Sequence, residues 1–260
     1  MRLSILVPCY NEKDLVLELL NLAARALPGV EKEIVLVDDG SRDGTRAVLQ
    51  KAFGPAKSDQ EPPARGGGRI GVPLTDETTI AVIFHQKNAG KGAAIRTAMA
   101  HATGDVMIVQ DADLEYDPGD YDQMWDLIVQ RKIADVVYGS RFYGRPHRSL
   151  NYHHYLANRL ISFIFNVLYN QTLTDVEVCY KMITRQVYES LRLSQNDFGF
   201  EVQISAQIAR RKTWRIYELG IRYYGRTYEA GKKINWKDGV KALWYLFWFR
   251  FAPSGAPAKS

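Results

Sequence analysis

Five short runs rich in Val, Ile and Leu recur along the first 140 residues: Leu3–Val7, Ile34–Val37, Ile80–Phe84, Val106–Val109 and Ala134–Tyr138. Short, almost uninterrupted apolar runs are the pattern of strands buried on both faces. Helical patterns separate them. Residues 12–26 carry Leu15, Leu19, Leu22, Ala23 and Ala26 at helical spacing, and 90–102 and 119–132 read the same way. Alternation of strand and helix predicts an α/β fold with a doubly wound, mostly parallel central sheet flanked by helices. Sheets of this kind bind ligands beyond the carboxyl ends of their strands. The residues with chemical potential stand at those ends: Pro8-Cys9-Tyr10-Asn11-Glu12 after the first strand, Asp38-Asp39-Gly40-Ser41 after the second, and Asp111-Ala112-Asp113-Leu114-Glu115 after the fourth.

The acidic run is the most specific of these. Asp111, Asp113 and Glu115 alternate, and alternate residues of an extended chain share one side. Three carboxylates gathered on one side repel one another unless a cation sits among them. Hard oxygen ligands suit Mg²⁺ or Mn²⁺, which keep coordination positions open for substrate phosphates. Taken alone the run is equally an acidic turn with solvated charges. Asp38-Asp39-Gly40-Ser41 likewise reads alone as a turn and helix cap. Asn88-Ala89-Gly90-Lys91-Gly92 opens a helix without the spacing of a phosphate-binding P-loop, and its Lys91 is within reach of a nucleotide.

The remaining features limit the function classes. Hydrophobic residues are 46% of the chain, which argues against global disorder. The net charge of +5 suits anionic partners, but no nucleic-acid-binding motif appears. Cys9 and Cys179, the only cysteines, lie far apart in apolar contexts and predict no disulfide scaffold. The first apolar run is too short for a signal peptide, and no segment reaches the roughly 20 apolar residues that span a bilayer, so a cytoplasmic protein, soluble or peripheral to a membrane, is expected. Residues 54–78, rich in Pro and Gly, read as a mobile insertion, with Arg65 and Arg69 as basic residues within it, and 252–260 as a disordered tail. The catalytic domain is thus expected over 1–235. Residues 155–169 form an amphipathic helix, with Leu156, Leu160, Phe163, Ile164, Val167 and Leu168 on one face and Arg159, Ser162 and Asn166 on another. Residues 236–251, with Trp244, Tyr245, Phe247, Trp248, Phe249 and Phe251, form a second helix suited to an interface with membrane or protein.

Ile5-Leu6-Val7-Pro8-Cys9-Tyr10-Asn11-Glu12, Val37-Asp38-Asp39-Gly40-Ser41, Asn88-Ala89-Gly90-Lys91-Gly92 and Asp111-Ala112-Asp113 occur in the order and spacing of family-2 glycosyltransferases of the GT-A fold. The resemblance covers residues 1–140. Farther on, Tyr138-Gly139-Ser140-Arg141, Thr174 to Lys181, Phe198-Gly199-Phe200-Glu201 and Tyr228 to Lys233 are similar to the dolichyl-phosphate mannose synthases and their polyprenyl-phosphate relatives. The resemblance implies an enzyme, an inverting hexosyltransferase using Mg²⁺ or Mn²⁺ and a UDP- or GDP-sugar. It implies Asp113 as the main metal ligand, Glu115 as an additional one and Asp111 at the ribose. Pro8, Tyr10, Glu12 and Asp39 would line the base and ribose pocket, with Lys91 near the nucleotide.

The acceptor implied is a polyprenyl phosphate, which is already an anion and needs no general base. Ser140 and Arg141 would meet its phosphate, Arg141 by paired hydrogen bonds. Where the family carries a further arginine and serine, this chain has His154 and Asn158, in a region whose basic residues include Arg145, His147 and Arg148. Lys181 stands where the relatives often carry an arginine near sugar and phosphate, and Lys232 or Lys233 is a candidate to close over the diphosphate. Longer relatives carry transmembrane helices, so this chain is expected to rest on the membrane surface or rely on an anchoring partner or a homo-oligomer. Two alternatives remain open: a soluble or polysaccharide acceptor activated by Glu177 or Asp175, and a non-catalytic nucleotide-sugar binder.

Overall fold

A computed structural model of the protein describes residues 1–54, 77–143, 152–197, 199–226 and 236–251, with backbone alone at 236–238 and 240. Most of the expected insertion, the basic residues Arg65, Arg69, Arg145, His147 and Arg148, Phe198, the Lys232–Lys233 pair and the 252–260 tail lie outside these residues.

Among the described residues seven strands form one sheet: β1 (Leu3–Cys9), β2 (Lys32–Asp38), β3 (Thr78–Phe84), β4 (Val106–Val109), β5 (Val136–Ser140), β6 (Lys181–Thr184) and β7 (Ile216–Gly220). Their spatial order is β3-β2-β1-β4-β6-β5-β7. The five expected strands are all present. β1 pairs in parallel with β2 and β4, and β2 with β3, as buried apolar strands joined by helical crossovers do. All seven residues of β2 are buried, including Lys32, whose ammonium donates to the carbonyls of Leu27 (2.9 Å) and Val30 (2.9 Å). Thr78, the last residue of the expected insertion, is the first of β3 and pairs with Lys32.

Sequence reading missed β7, which pairs in parallel with β5, and β6. β6 runs antiparallel between β4 and β5, so the sheet is mixed. Its short run Lys-Met-Ile-Thr starts with a charge and is cut short by the following helix, which hides the strand pattern. β6 brings the segment 174–180 to the carboxyl end of β4.

Helices α1 (Val16–Arg25), α2 (Thr45–Phe53) and α3 (Lys91–His101) cross between the parallel strands. α1 buries Val16, Leu19, Leu20, Ala23 and Ala24, the apolar stripe its spacing predicts. The pattern over 119–132 resolves into a short helix, α4 (Tyr121–Trp125), that finishes in a π-helical turn over 126–130. Beyond the sheet lie α5 (Tyr152–Tyr169), α6 (Arg185–Glu189), α7 (Gly199–Arg210) and α8 (Trp236–Phe251). The Tyr169 hydroxyl donates to the Leu246 carbonyl (3.0 Å), tying α5 to α8.

The orientation of α5 is unusual. Its polar residues Asn158 and Ser162 are buried, together with Ile161, Phe165 and Tyr169. Leu156, Leu160, Phe163 and Val167 are exposed, Phe163 and Val167 by 64% and 67%. The polar side chains turn inward because the fold supplies partners: Asn158 donates to Asp175 (3.2 Å), and Asn166 both donates to and accepts from the backbone of Leu173 (2.7 and 3.0 Å). On α8, Tyr245, Leu246 and Phe249 are buried while Trp244, Phe247 and Phe251 are exposed. Among the described residues no helix is long and apolar enough to cross a membrane.

Candidate active site

The loops at the carboxyl ends of β1, β2 and β4 converge. After β1, the Asn11 N–H donates to the Ser41 hydroxyl (2.9 Å), the Arg42 N–H to the Asn11 carbonyl oxygen of the side chain (2.9 Å), and the Glu12 N–H to the Thr45 hydroxyl (2.9 Å). These bonds hold Pro8, Tyr10 and Glu12, all partly buried, against the loop that follows β2. Gly40, at φ 72°, lies so close to the next loop that an added Cβ would stand 2.6 Å from the Asn88 nitrogen.

Asp39 is buried and heavily bonded. Its carboxylate accepts the N–H of Ala89 (2.9 Å) and Gly90 (2.8 Å) and lies 2.7 Å from His85 Nδ1. It therefore shapes the Asn88–Gly92 turn, and one oxygen alone keeps spare accepting capacity for a base. Asp38 accepts from the Ser41 N–H (3.3 Å) and pairs with Arg46 (2.8 Å), the turn role its sequence context suggested.

The turn at 88–92 aims Lys91 at the acidic run. Its ammonium lies 2.8 Å from Asp111 and 3.3 Å from Glu201. Burial opposes the charge on Lys91, but Asp111 and Glu201 outweigh it and raise its pKa well above the ordinary value. Glu201 in turn pairs with Lys181 (2.6 Å), which also donates to the Val178 carbonyl and sits 5.4 Å from the Tyr138 ring centre. Lys181, 2% exposed, is thus committed to a buried pair.

The segment after β7 closes the other side. The Arg222 guanidinium pairs with Asp117 (2.9 Å) and Asp120 (3.0 Å), Tyr223 bridges Tyr116, and the Tyr224 N–H donates to the Glu115 carbonyl (2.9 Å). This docking delivers Arg226 to the acidic run. Its guanidinium makes two bonds to Glu12 (3.0 and 3.1 Å) and one to Asp113 (3.0 Å), and its backbone N–H donates to Glu115 (2.6 Å). The second Glu115 oxygen accepts from the Tyr223 hydroxyl (2.7 Å). The carboxyl of Asp113 is pushed up to about 7, first by burial and then by Asp111 and Glu115, with Arg226 only partly offsetting the rise. Four carboxyl groups (Glu12, Asp111, Asp113, Glu115) thus face two cations (Lys91, Arg226), so acidic groups outnumber basic ones by two.

That donor set fits a hard divalent cation in charge and in ligand type. Asp113 would hold it, beside Asp111, which is paired with Lys91. Glu115 would join by exchanging a hydrogen bond, since both its oxygens already accept one. Among the described residues no three such ligands converge on a common point, and the Arg226 guanidinium reaches Glu12, Asp113 and Glu115.

Arg141 stands at the end of β5 and forms a bidentate pair with the fully buried Asp175 (2.7 and 2.7 Å). Asp175 also accepts the Arg141 N–H (3.1 Å) and Asn158. The edge of Arg141 expected to clamp a phosphate is therefore held by Asp175. The Arg141 guanidinium lies 5.5 Å from the Tyr223 ring centre, linking this corner to the acidic run. Ser140, fully buried, shares a hydrogen bond with Thr174 (2.8 Å). His154 is half-buried on the first turn of α5, one helical turn before Asn158. Two residues beyond Asp175, Glu177 has its carboxyl pushed up to about 7, mainly by burial.

A family model for glycosyl transferase family 2 matches residues 4–192. The chain belongs to glycosyl transferase family 2. Among family relatives, a dolichol-phosphate mannosyltransferase from Pyrococcus furiosus is 25% identical over 241 residues, covering 90% of this chain and 61% of its own. Glycosyltransferase AglJ from Haloferax volcanii is 24% identical over 208 residues, covering 80% and 58%. The chain thus spans about three-fifths of the length of these curated relatives. Glucosyl-3-phosphoglycerate synthase from Mycobacterium tuberculosis, in complex with UDP, superposes with a TM-score of 0.67 at 15% identity over 97% of this chain and 81% of that one. The same synthase with Mn²⁺, UDP and phosphoglyceric acid gives 0.66 at 14% identity over 97% and 79%. These likenesses bear out the GT-A arrangement expected of the family-2 sequence.

Arg226 is the site residue that sequence reading missed. It is 113 residues from Asp113 and 214 from Glu12, and no spacing rule joins them. The one signal was its place just before the Tyr228–Lys233 stretch.

Proposed function

We propose that this family-2 protein transfers a hexose from a UDP- or GDP-sugar to a polyprenyl phosphate, using Mg²⁺ or Mn²⁺ and working at a membrane surface. The observation that carries the reading is the strand-end cluster in which Glu12, Asp111, Asp113 and Glu115 meet only two basic groups, Lys91 and Arg226. When bound there, a divalent cation supplies Lewis-acid stabilisation to the departing diphosphate. Lys91 and Arg226 add positive charge on either side of that group. Pro8, Tyr10 and Asp39 line the side where the β1 and β2 loops meet, which suits the nucleoside. In the transfer, an acceptor phosphate oxygen bonds to the anomeric carbon as its bond to the diphosphate breaks, and nucleoside diphosphate leaves. A phosphate acceptor has no proton to remove, so the commitment of Asp175 to Arg141 and Asn158 is no obstacle. Ser140, Arg141, His154 and Asn158 form the acceptor side of this reading.

The exposed Leu156, Leu160, Phe163 and Val167 of α5 support a lipid-linked acceptor, because a membrane surface would cover them. The helix packed on α5, α8, also exposes large apolar side chains, Trp244, Phe247 and Phe251. The dolichol-phosphate mannosyltransferase relative, similar along 90% of the chain, favours the same acceptor class.

One observation favours a second reading. The Glu177 carboxyl, pushed up to about 7 mainly by burial, accepts no hydrogen bond among the described residues, which suits a general base for a hydroxyl acceptor. The synthase crystallised with phosphoglyceric acid is a relative in fold with a small acid bound.

Incubation with radiolabelled UDP- and GDP-hexoses, a short polyprenyl phosphate and Mn²⁺ separates the two. Label moving into organic solvent is the expected result; label confined to water-soluble products would select the hydroxyl acceptor. Asp113→Ala should lower turnover at least ~10³-fold while leaving the melting curve cooperative, since it removes a charge-stabilising ligand and no core packing. Wild-type turnover in that variant, or in excess chelator, would refute the metal role.

A further inference from the structure

Arg226 occupies ground that a metal would need. One guanidinium reaches Glu12 and Asp113 at 3.0 Å and Glu115 at 3.7 Å, and its side chain is 21% exposed. Its Nε is buried and makes no hydrogen bond, so the fork is not fully satisfied where it stands. The Glu12 bonds are bidentate and the Asp113 bond is single. The contact to Asp113 is therefore the one that can be given up while Glu12 keeps its grip.

Resting on the reading of Asp113 and Glu115 as metal ligands, we propose that Arg226 is an internal counter-cation that competes with the divalent metal for these carboxylates and is drawn off them by the donor diphosphate. The physical basis is exchange of like for like. Without ligands, Arg226 partly neutralises a cluster that carries excess negative charge. A divalent cation arriving alone must displace the guanidinium and leave it facing a second cation across a few ångströms, which is unfavourable in a half-buried site. A diphosphate gives the displaced guanidinium a new anionic partner that matches its planar fork. Metal and nucleotide then each improve the other's binding, and by linkage the two improvements are equal. Arg226 thus makes the site weak for free metal and strong for metal with nucleotide.

The test is Mn²⁺ binding followed by the loss of the free-ion electron paramagnetic resonance signal, with and without UDP or GDP, on the full chain. Arg226→Gln should bind Mn²⁺ alone about tenfold more tightly than wild type, and nucleotide should enhance Mn²⁺ binding about tenfold less in the variant, within the usual range of site–site coupling. Arg226→Lys retains the charge but cannot span Glu12 and Asp113, so a severalfold gain in Mn²⁺ affinity is expected. If the glutamine variant does not fold, the lysine variant decides. Either folded variant binding Mn²⁺ alone no more tightly than wild type overturns the proposal. Wild-type protein that binds no Mn²⁺ even with both nucleotides would overturn the metal-site reading itself and this proposal with it. A wild type whose Mn²⁺ affinity rises with nucleotide as much as that of Arg226→Gln overturns only the role of Arg226.

Discussion

Replacing Glu177 by glutamine removes a negative charge that the fold holds in an unfavourable place. The carboxyl lies in the crowded region of Asp175, Lys181 and Glu201, and burial pushes it up to about 7, with Asp175 and Glu201 adding and Arg141 and Lys181 opposing. In the unfolded chain it titrates near the ordinary glutamate value of 4.5. Between those two values the folded protein binds the proton and the unfolded chain has lost it. Stability therefore falls as pH rises through that window and is level, at its lower value, above about 7. A rise from 4.5 to about 7 corresponds to at most ~3 kcal/mol of ionisation penalty, and contact with solvent reduces it to about 1–2 kcal/mol. Glutamine has no such penalty. Glu177→Gln should match wild type in stability near pH 5 and exceed it by about 1–2 kcal/mol at pH 8, roughly 3–6 °C in melting temperature for a chain of this size. Denaturant unfolding of both proteins from pH 5 to 8.5 provides the measurement. A stability difference that is flat across this range, or a variant less stable at pH 8, would refute the account of a buried, penalised carboxylate. Turnover of the same variant adds a second outcome. With polyprenyl phosphate as acceptor, kcat should stay within a few-fold of wild type, whereas loss of a general base would cost about 10²–10⁴.

Two further predictions address the framework and the surface. Gly90 has φ 99°, and a Cβ there would collide with the Asn196 carbonyl, so Gly90→Ala should lower unfolding free energy by about 2 kcal/mol or more and weaken nucleotide binding through Lys91; a melting temperature equal to wild type would contradict the close approach. The double change Phe163→Asp with Val167→Asp alters only exposed positions of α5 and should leave the melting temperature within about 2 °C while reducing co-sedimentation with anionic liposomes at least severalfold; undiminished co-sedimentation would remove this face from the membrane reading.

The parts of this protein legible in its sequence are those governed by local rules. Buried parallel strands must be apolar on both faces, so β1 to β5 stand out as Val- and Ile-rich runs, and the helices between them carry the spacing that an apolar stripe requires. Once the sheet is recognised, topology puts Pro8–Glu12, Asp38–Ser41 and Asp111–Glu115 at one edge, and they are found there. What local rules do not reach is how charges are partnered. Asp39, read as a base contact, spends most of its capacity on the backbone of Ala89 and Gly90, 50 and 51 residues away. Arg141, read as a phosphate clamp, has its bidentate edge held by Asp175. Lys181 is drawn to Glu201, and Arg226 to Glu12 and Asp113. Even α5, whose amphipathic stripe is plain in the sequence, turns polar Asn158 and Ser162 inward because Asp175 and the backbone of Val176 wait there to bond them. Apolar burial is set residue by residue along the chain, but a buried charge goes wherever folding brings its counter-charge, and only the tertiary structure decides where that is.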